Sequence, residues 1–480
     1  MKNIKQKDNI MEQFEEKAKR PFGIRDKAGY AFGDLANNLT FVLVAMFMMK
    51  FYTDIMGVSA ALVGALMMIA KVVDAFTDVL MGQIVERSSY TVRGKFSPWI
   101  RRFAGPVSLS CFLIFAPYFA DKPMGFKIFW MFFTYLLWGS VCYTGVNIPY
   151  GSMASAISDK AVDRQHLSTW RNRGMVVGQV VVVVVLPLVV YTTNSEGNKV
   201  LNGNYVMIAA AVCGILACSV YFACARMCTE RIVLTTKRER RKNIFQLFGI
   251  LFTNRAFIGI ITASLLLLLV QLTSGGMGNY VYPNYFNNTV MLSLSSFIGS
   301  GVILVLSVFV NSLAARFGKK ELAAFGAFLG AVALILLYIL HTEHVAVYVI
   351  LSTIASAGLG LFSLVCWAMI TDVIDDIEVK REVRSDATVY SVYSFARKLG
   401  QAASSGLTGL LLSFAGYTAA TAFDKSVVDK IYDFSTLIPA IGFLVIGFFL
   451  MLLYPLSKKA VENNASLLKS RREEKSNKYI

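Results

Sequence analysis

Lys71-Val72-Val73-Asp74-Ala75-Phe76-Thr77-Asp78 places three ionisable side chains about one helical turn apart in the middle of an apolar run, Val58 to Ile84. Spacings of three and four put Lys71, Asp74 and Asp78 on one helix face. An isolated charge in hydrocarbon costs about 3 kcal/mol or more, so such residues turn toward a bundle interior and mark an ion or substrate path. A Lys–Asp pair can neutralise itself, but one Lys cannot neutralise two Asp. The carboxylate left over is what a cation site requires.

Apolar runs long enough to span a bilayer recur along the whole chain. Twelve begin near Tyr30, Val58, Trp99, Gly125, Gly174, Tyr205, Ala256, Val290, Glu321, Val345, Val389 and Ser435. Each must satisfy its own backbone hydrogen bonds in lipid, so each is expected to be a helix. With 56% hydrophobic and only 16% charged residues, the 480-residue chain lies well below the roughly 25% charge of soluble domains. The expected fold is an all-α integral membrane protein of 12 transmembrane helices in two six-helix halves. The expected boundaries are an N-terminal segment 1–29, a first bundle 30–226, a basic linker 227–254, a second bundle 255–456 and a tail 457–480.

The 47 Lys and Arg against 30 Asp and Glu give a net charge of +17, which on a soluble chain would point to nucleic acid. Here most of the basic residues fall in the N-terminal segment, the even-numbered loops and the C-terminal tail. That is the positive-inside pattern, and it predicts both termini and the connection Arg226–Arg255 on the cytoplasmic side of a plasma membrane. The cluster Lys237, Arg238, Arg240, Arg241 and Lys242 reads as a cytoplasmic stop signal. The first 29 residues hold no apolar core and no cleavage pattern, so no signal peptide is read. The seven Cys lie inside spans or at their inner ends and read as small apolar residues, not as disulfides or a metal site.

Six spans, a basic loop and six more spans point to an internal duplication. Arg93-Gly94-Lys95 and Arg316-Phe317-Gly318-Lys319-Lys320 stand at matching positions of the two halves. Paired halves with a site near the midplane describe a large class of transporters. Thr144 and Asn147 share a face of the fourth span. A hard cation takes oxygen ligands, which Asp74, Asp78 and Thr144 supply if the second and fourth spans touch. Thr144 can equally well cap its own helix. A sugar site wants amides, carboxylates, a cationic donor and an aromatic platform. Asp34, Asn37, Asn38, Asn147, Tyr150, Arg171 or Arg173, Trp367 and Lys398 carry those groups on separate spans. The tenth span ends in Asp372, Asp375, Asp376 and Glu378, followed by Arg381 and Arg384. Arg93, Lys95, Arg101 and Arg102 of the other half fall on the same side, so charge pairs are expected to act as a gating latch. No nucleophile elbow, Walker loop or H-E-x-x-H is present, which argues against an enzyme or an ATP-driven pump.

Several passages carry a family resemblance. They are Gly33-Asp34-Leu35-Ala36-Asn37-Asn38, Phe51-Tyr52-Thr53-Asp54, Asp74-Ala75-Phe76-Thr77-Asp78, Arg93-Gly94-Lys95-Phe96-Ser97-Pro98-Trp99, Asn147-Ile148-Pro149-Tyr150, the stretch Arg164 to Arg171, and Tyr393-Ser394-Phe395-Ala396-Arg397-Lys398-Leu399-Gly400-Gln401. From about Gly29 to Pro455 the chain resembles the glycoside–pentoside–hexuronide:cation symporters of the major facilitator superfamily, the group that contains melibiose permease. The resemblance implies symport of a sugar or glycoside driven by sodium or proton, with no other cofactor, by a protein that works as a monomer among membrane lipids. It implies a cation site at Asp74, Asp78 and Thr144, with Thr77 beside it. For the sugar and the coupling it implies Asn37, Asn38, Asn147, Arg171 and Lys398.

The departures from melibiose permease narrow the substrate. That protein has Lys-Asp where Asn37-Asn38 stands, Asp at Asn147 and Trp at Gly151. The Asn-Ile-Pro-Tyr-Gly and Phe-Ala-Arg-Lys-Leu-Gly-Gln runs look closer to xyloside and glucuronide carriers. An acid sugar near Arg171 is the main alternative to a neutral glycoside. A lysolipid carrier on the same fold would want an apolar cleft in place of these polar groups, and a sugar sensor would carry an output domain.

Overall fold

The computed structural model describes residues 12–14, 16, 18–232, 253–381 and 386–477. The basic cluster Lys237–Lys242 and Arg384 lie outside the described residues. The long helices are α1 Ile24–Asp54, α2 Ala60–Arg87, α3 Ser97–Ile114, α4 Met124–Ile157, α5 starting at Ala161 and ending at Val190, and α6 Gly203–Met227. After the linker come α7 Arg255–Tyr285, α8 Thr289–Phe317, α9 Lys319–Leu340, α10 Val345–Arg381, α11 Asp386–Ala415 and α12 Lys425–Leu452, then a polar helix α13 Lys458–Asn477. A small hairpin, β1 Tyr191–Thr193 with β2 Lys199–Leu201, joins α5 to α6.

Each of the twelve apolar runs is thus a helix. Ten of the helices among the described residues are long and apolar enough to cross a membrane. The other two are α3, which is short and carries Arg101 and Arg102, and α11, which is rich in small polar residues. Two helices start well before their apolar runs: α5 by thirteen residues and α12 by ten. Apolar character marks only the part in hydrocarbon, whereas a helix continues as long as its backbone bonds do. Polar turns such as Arg164 to Arg173 therefore extend it. Asn202, Asn254 and Asn288 cap α6, α7 and α8 by accepting from backbone N–H groups of the first turn.

The chain divides into two compact units, Met1–Lys237 with Gly416–Ala422, and Arg238–Ala415 with Phe423–Ile480. In the first, α1 packs along α5 and α6, α3 lies against α6, and α2 meets α4. Tyr417 belongs to this unit, where its hydroxyl donates to Asp54 Oδ1 at 2.8 Å and accepts from Lys50 Nζ at 3.2 Å. In the second, α9 packs between α10 and α12, and α7 runs along α11. Large apolar side chains such as Phe297, Leu304, Val308 and Phe309 on α8 stand exposed, as they would on a surface solvated by lipid.

The two matching loops each hold a glycine of positive φ. Gly94 and Gly318 have φ of +99° and +101°, a region that L side chains rarely adopt. A Cβ at either would strike a carboxylate, that of Glu230 or of Glu321. Glu230 is the pin of the first loop. Its carboxylate accepts from the backbone N–H of Lys95 at 2.7 Å, Phe96 at 3.0 Å and Ser97 at 2.8 Å, which caps α3 from the far end of α6. Asp26 does similar work nearby, accepting from Arg20, from Arg231 at 2.8 Å and from the Thr229 N–H at 2.9 Å.

Candidate functional site

The two carboxylates of α2 meet α4 where α4 departs from α-helical geometry. Residues Leu137–Tyr143 form a π segment between Met124–Leu136 and Thr144–Ile157. Such wide turns recur at functional sites, because they re-aim side chains and loosen backbone bonding. Here the wide turn points both Ser140 and Thr144 at α2. The Thr144 hydroxyl lies 2.7 Å from Asp78 Oδ1 and 3.1 Å from its own-helix carbonyl of Gly139. It has one proton to give, so the two roles foreseen for Thr144, ligand and self-cap, are available to the same atom. Ser140 donates to Asp74 Oδ1 in a very short contact. Gly139 leaves the room this needs, since a Cβ there would sit 3.1 Å from the Asp74 carboxylate.

Lys71 completes the cluster. Its Nζ lies 3.5 Å from Asp74 Oδ2 and over three rings: Phe41 of α1 at 4.9 Å, Tyr135 at 5.7 Å and Trp138 at 5.8 Å, both of α4. Thr77, expected beside the ion, spends its hydroxyl proton on the Asp74 carbonyl at 3.1 Å and keeps only acceptor capacity. Ser140 and the ring box were not legible in the sequence. Ser140 stands one turn before Thr144, but its aim depends on the π segment, and nothing in the spelling of Leu137–Tyr143 announces one.

A second polar group is built on α1, α4, α5 and α6. Arg171 Nε donates to Asp34 Oδ1 at 3.1 Å, with the Arg side chain 43% exposed and the Asp side chain 6%. Tyr150 is fully buried, stacks on Tyr30 at 4.6 Å and donates to the Tyr30 carbonyl at 2.7 Å. The Arg171 guanidinium lies 5.6 Å from its ring. Tyr150 thus shelves Arg171 from below. Asn37 is buried, with its Oδ1 accepting from the Tyr221 hydroxyl at 2.7 Å, and Asn38 bonds back to the Asp34 carbonyl. Asn147 is half-buried on α4, one turn beyond Thr144. The structure therefore brings Asp34, Arg171 and Tyr150 into one cluster. It ties Asn37 into the packing of α1 on α6.

In the second unit Trp367 of α10 is 49% exposed, stacks with Tyr390 at 6.2 Å and meets Tyr393 edge-on at 4.9 Å. The cation over it is Arg397, at 5.7 Å, which also donates to the Tyr393 hydroxyl. Lys398, the neighbour that the sequence pointed to, is half-buried. Of the acidic residues at the end of α10, Asp372 pairs with Lys319 at 2.7 Å. Asp376 is buried among Lys380, Asn254 and Asn464, the last from α13. These partners lie in the same unit. Arg93 and Arg101 lie in the first unit, beside Tyr90, Thr91 and Arg102, along a cleft at the start of α3. Among the described residues no group of three or more His, Cys, Asp or Glu side chains converges as a metal cage.

The model of the MFS/sugar transport protein family matches residues 29–458. The chain belongs to that family. It is a multi-pass membrane transporter of the major facilitator fold and not an enzyme. It is 29% identical over 437 residues to a glucuronide carrier protein homolog of Escherichia coli (strain K12), with 91% of this chain and 93% of that protein covered. It is 28% identical, over 90% of its length and 93% of the relative, to an uncharacterized symporter of Bacillus subtilis (strain 168). Among solved structures, a D-xylose–proton symporter superposes with a TM-score of 0.62 at 14% identity, covering 90% of this chain and 98% of that one. That likeness speaks for the fold alone.

Proposed function

We propose that this transporter moves a sugar or glycoside across the plasma membrane by symport with a monovalent cation, sodium or proton, through alternating access of its two units. The observation that carries the reading is the pairing of α2 and α4. Two intramembrane carboxylates, Asp74 and Asp78, face hydroxyls of the π segment and of Thr144. A charge this costly to hold in a membrane is kept where an ion must bind and leave. Asp34, Arg171 and Asn147, with the Tyr150 shelf, supply hydrogen-bonding groups of the kind a polyhydroxylated substrate needs. The positive-inside pattern supports cytoplasmic termini.

A second reading keeps the fold and makes the substrate an acid sugar. The guanidinium of Arg171 engages Asp34 through Nε while its side chain stays 43% exposed, and a curated relative is named as a glucuronide carrier homolog. Uptake of labelled glycosides and glucuronides by proteoliposomes separates the two. A neutral glycoside accumulated in preference to its glucuronide supports the first reading, and the reverse order supports the second.

A further inference from the structure

We infer that Arg397 of α11, backed by Trp367 of α10, is a carboxylate-binding site of the second unit and takes the acid group of a uronide substrate. The inference rests on the second reading above, an acid sugar, and adds the residue that recognises the acid. It starts from a charge without a counterpart. Arg397 stands well inside the 30-residue helix α11, about 17 Å from its start at 1.5 Å per residue. An ionised side chain at such a depth is costly and marks a substrate or ion path. Arg171 of the first unit is neutralised by Asp34. Among the described residues no carboxylate pairs with Arg397, whose contacts are the hydroxyl and ring of Tyr393 and the ring of Trp367.

Those contacts aim the guanidinium without discharging it. Tyr393 is buried and gives its own proton to Cys366 Sγ at 3.2 Å, so its oxygen is left to accept from Arg397 Nη1 at 3.3 Å. The Trp367 and Tyr393 rings lie 5.7 and 5.6 Å from the guanidinium carbon, and ring quadrupoles hold a cation most firmly where water is scarce. Only one of the five N–H donors of the fork is thereby spent on the described residues. A carboxylate matches the remaining fork with two parallel, charge-assisted hydrogen bonds. The hydroxymethyl group of a neutral sugar offers a single oxygen and no charge. Trp367 is 49% exposed, which leaves an apolar surface beside the fork for the face of a sugar ring. Charge, fork and platform thus come from two neighbouring helices of one unit.

The test is calorimetric titration of the full-length protein in lipid nanodiscs with matched pairs of glycosides, glucuronide against glucoside and galacturonide against galactoside. Members of a pair differ only in carboxylate for hydroxymethyl, so the pair isolates the acid group. Wild type should bind one uronide at least about tenfold tighter than its neutral partner. Arg397→Gln should erase that preference, weakening the uronide at least about tenfold while the neutral partner changes by less than about threefold. A uronide preference kept by folded Arg397→Gln, or an equal loss for both members of the pair, overturns the inference and leaves the acid-sugar reading standing. If Arg397→Gln does not fold, Arg397→Met, which keeps an apolar stem against Trp367, takes its place with the same outcomes. Wild type without a uronide preference, or without binding to any pair, overturns the acid-sugar reading and the inference with it.

Discussion

Asp78 and Thr144 form the contact on which the ion-coupling reading turns. Asp74→Ala and Asp78→Ala should each abolish uphill sugar uptake while leaving part of equilibrium sugar binding intact. Flow dialysis beside active uptake checks both halves, and near-wild-type accumulation in either variant would remove these residues from the ion site. Asn147→Ala should weaken sugar binding at saturating cation by about 1–3 kcal/mol, the cost of leaving sugar hydroxyls unpaired; unchanged binding would make Asn147 a packing residue. Arg171→Gln should hurt an acidic glycoside more than a neutral one. At this scale the sequence was readable wherever chemistry is unusual for its surroundings. A Lys and two Asp in an apolar run are conspicuous. Ser140 and the aromatic box were not, because each is an ordinary residue given its role by what packs against it.

Helices were legible as elements because lipid permits little else, and their ends were less so. The start of α5 at Ala161 lies in a charged stretch that hydropathy discounts. The π segment of α4 was invisible, yet it positions the site. Deleting Val141 from Leu137–Tyr143 should rewind the bulge into regular α-helix and turn Thr144 by about 100° relative to the residues before it. Cation-driven uptake should vanish while the protein stays folded and monodisperse; retained uptake would show that the bulge is dispensable. At the other end of the unit, burial pushes the Glu230 carboxyl above its ordinary range, and the backbone N–H groups of Ser97, Lys95 and Phe96 draw it part of the way back. A raised value in the folded state means that its contribution to stability is full below the ordinary carboxylate pKa of about 4.3. That contribution is lost as pH rises through the raised value. Thermal unfolding across that window should show the loss, and Glu230→Gln should flatten it. Gly94→Ala should cost at least about 1–2 kcal/mol from its positive φ alone, with the clash against Glu230 added.

For the whole molecule, two six-span halves were readable from the spacing of apolar runs and from the paired basic turns. Gly94 and Gly318 add to that pairing a positive φ at the same place in each turn. The gating latch proposed from Asp372, Asp375, Asp376, Arg93 and Arg101 was read from charge alone, and charge does not say which further partners each residue has. Within their own unit Asp372 pairs with Lys319, and Asp376 is held by Lys380, Asn254 and Asn464. The polar tail helix α13 is thereby anchored on the end of α10, which composition gave no reason to expect. What the molecule does as a unit is couple an ion gradient to sugar movement, and one measurement reaches that claim directly. Purified protein in proteoliposomes is offered a panel of labelled sugars and glycosides under an imposed cation gradient, beside an Asp78→Asn control. The account predicts that at least one sugar accumulates above equilibrium, that collapse of the gradient with an ionophore stops it, and that Asp78→Asn only equilibrates. Equal accumulation with the gradient collapsed, or uphill uptake by Asp78→Asn, would contradict it.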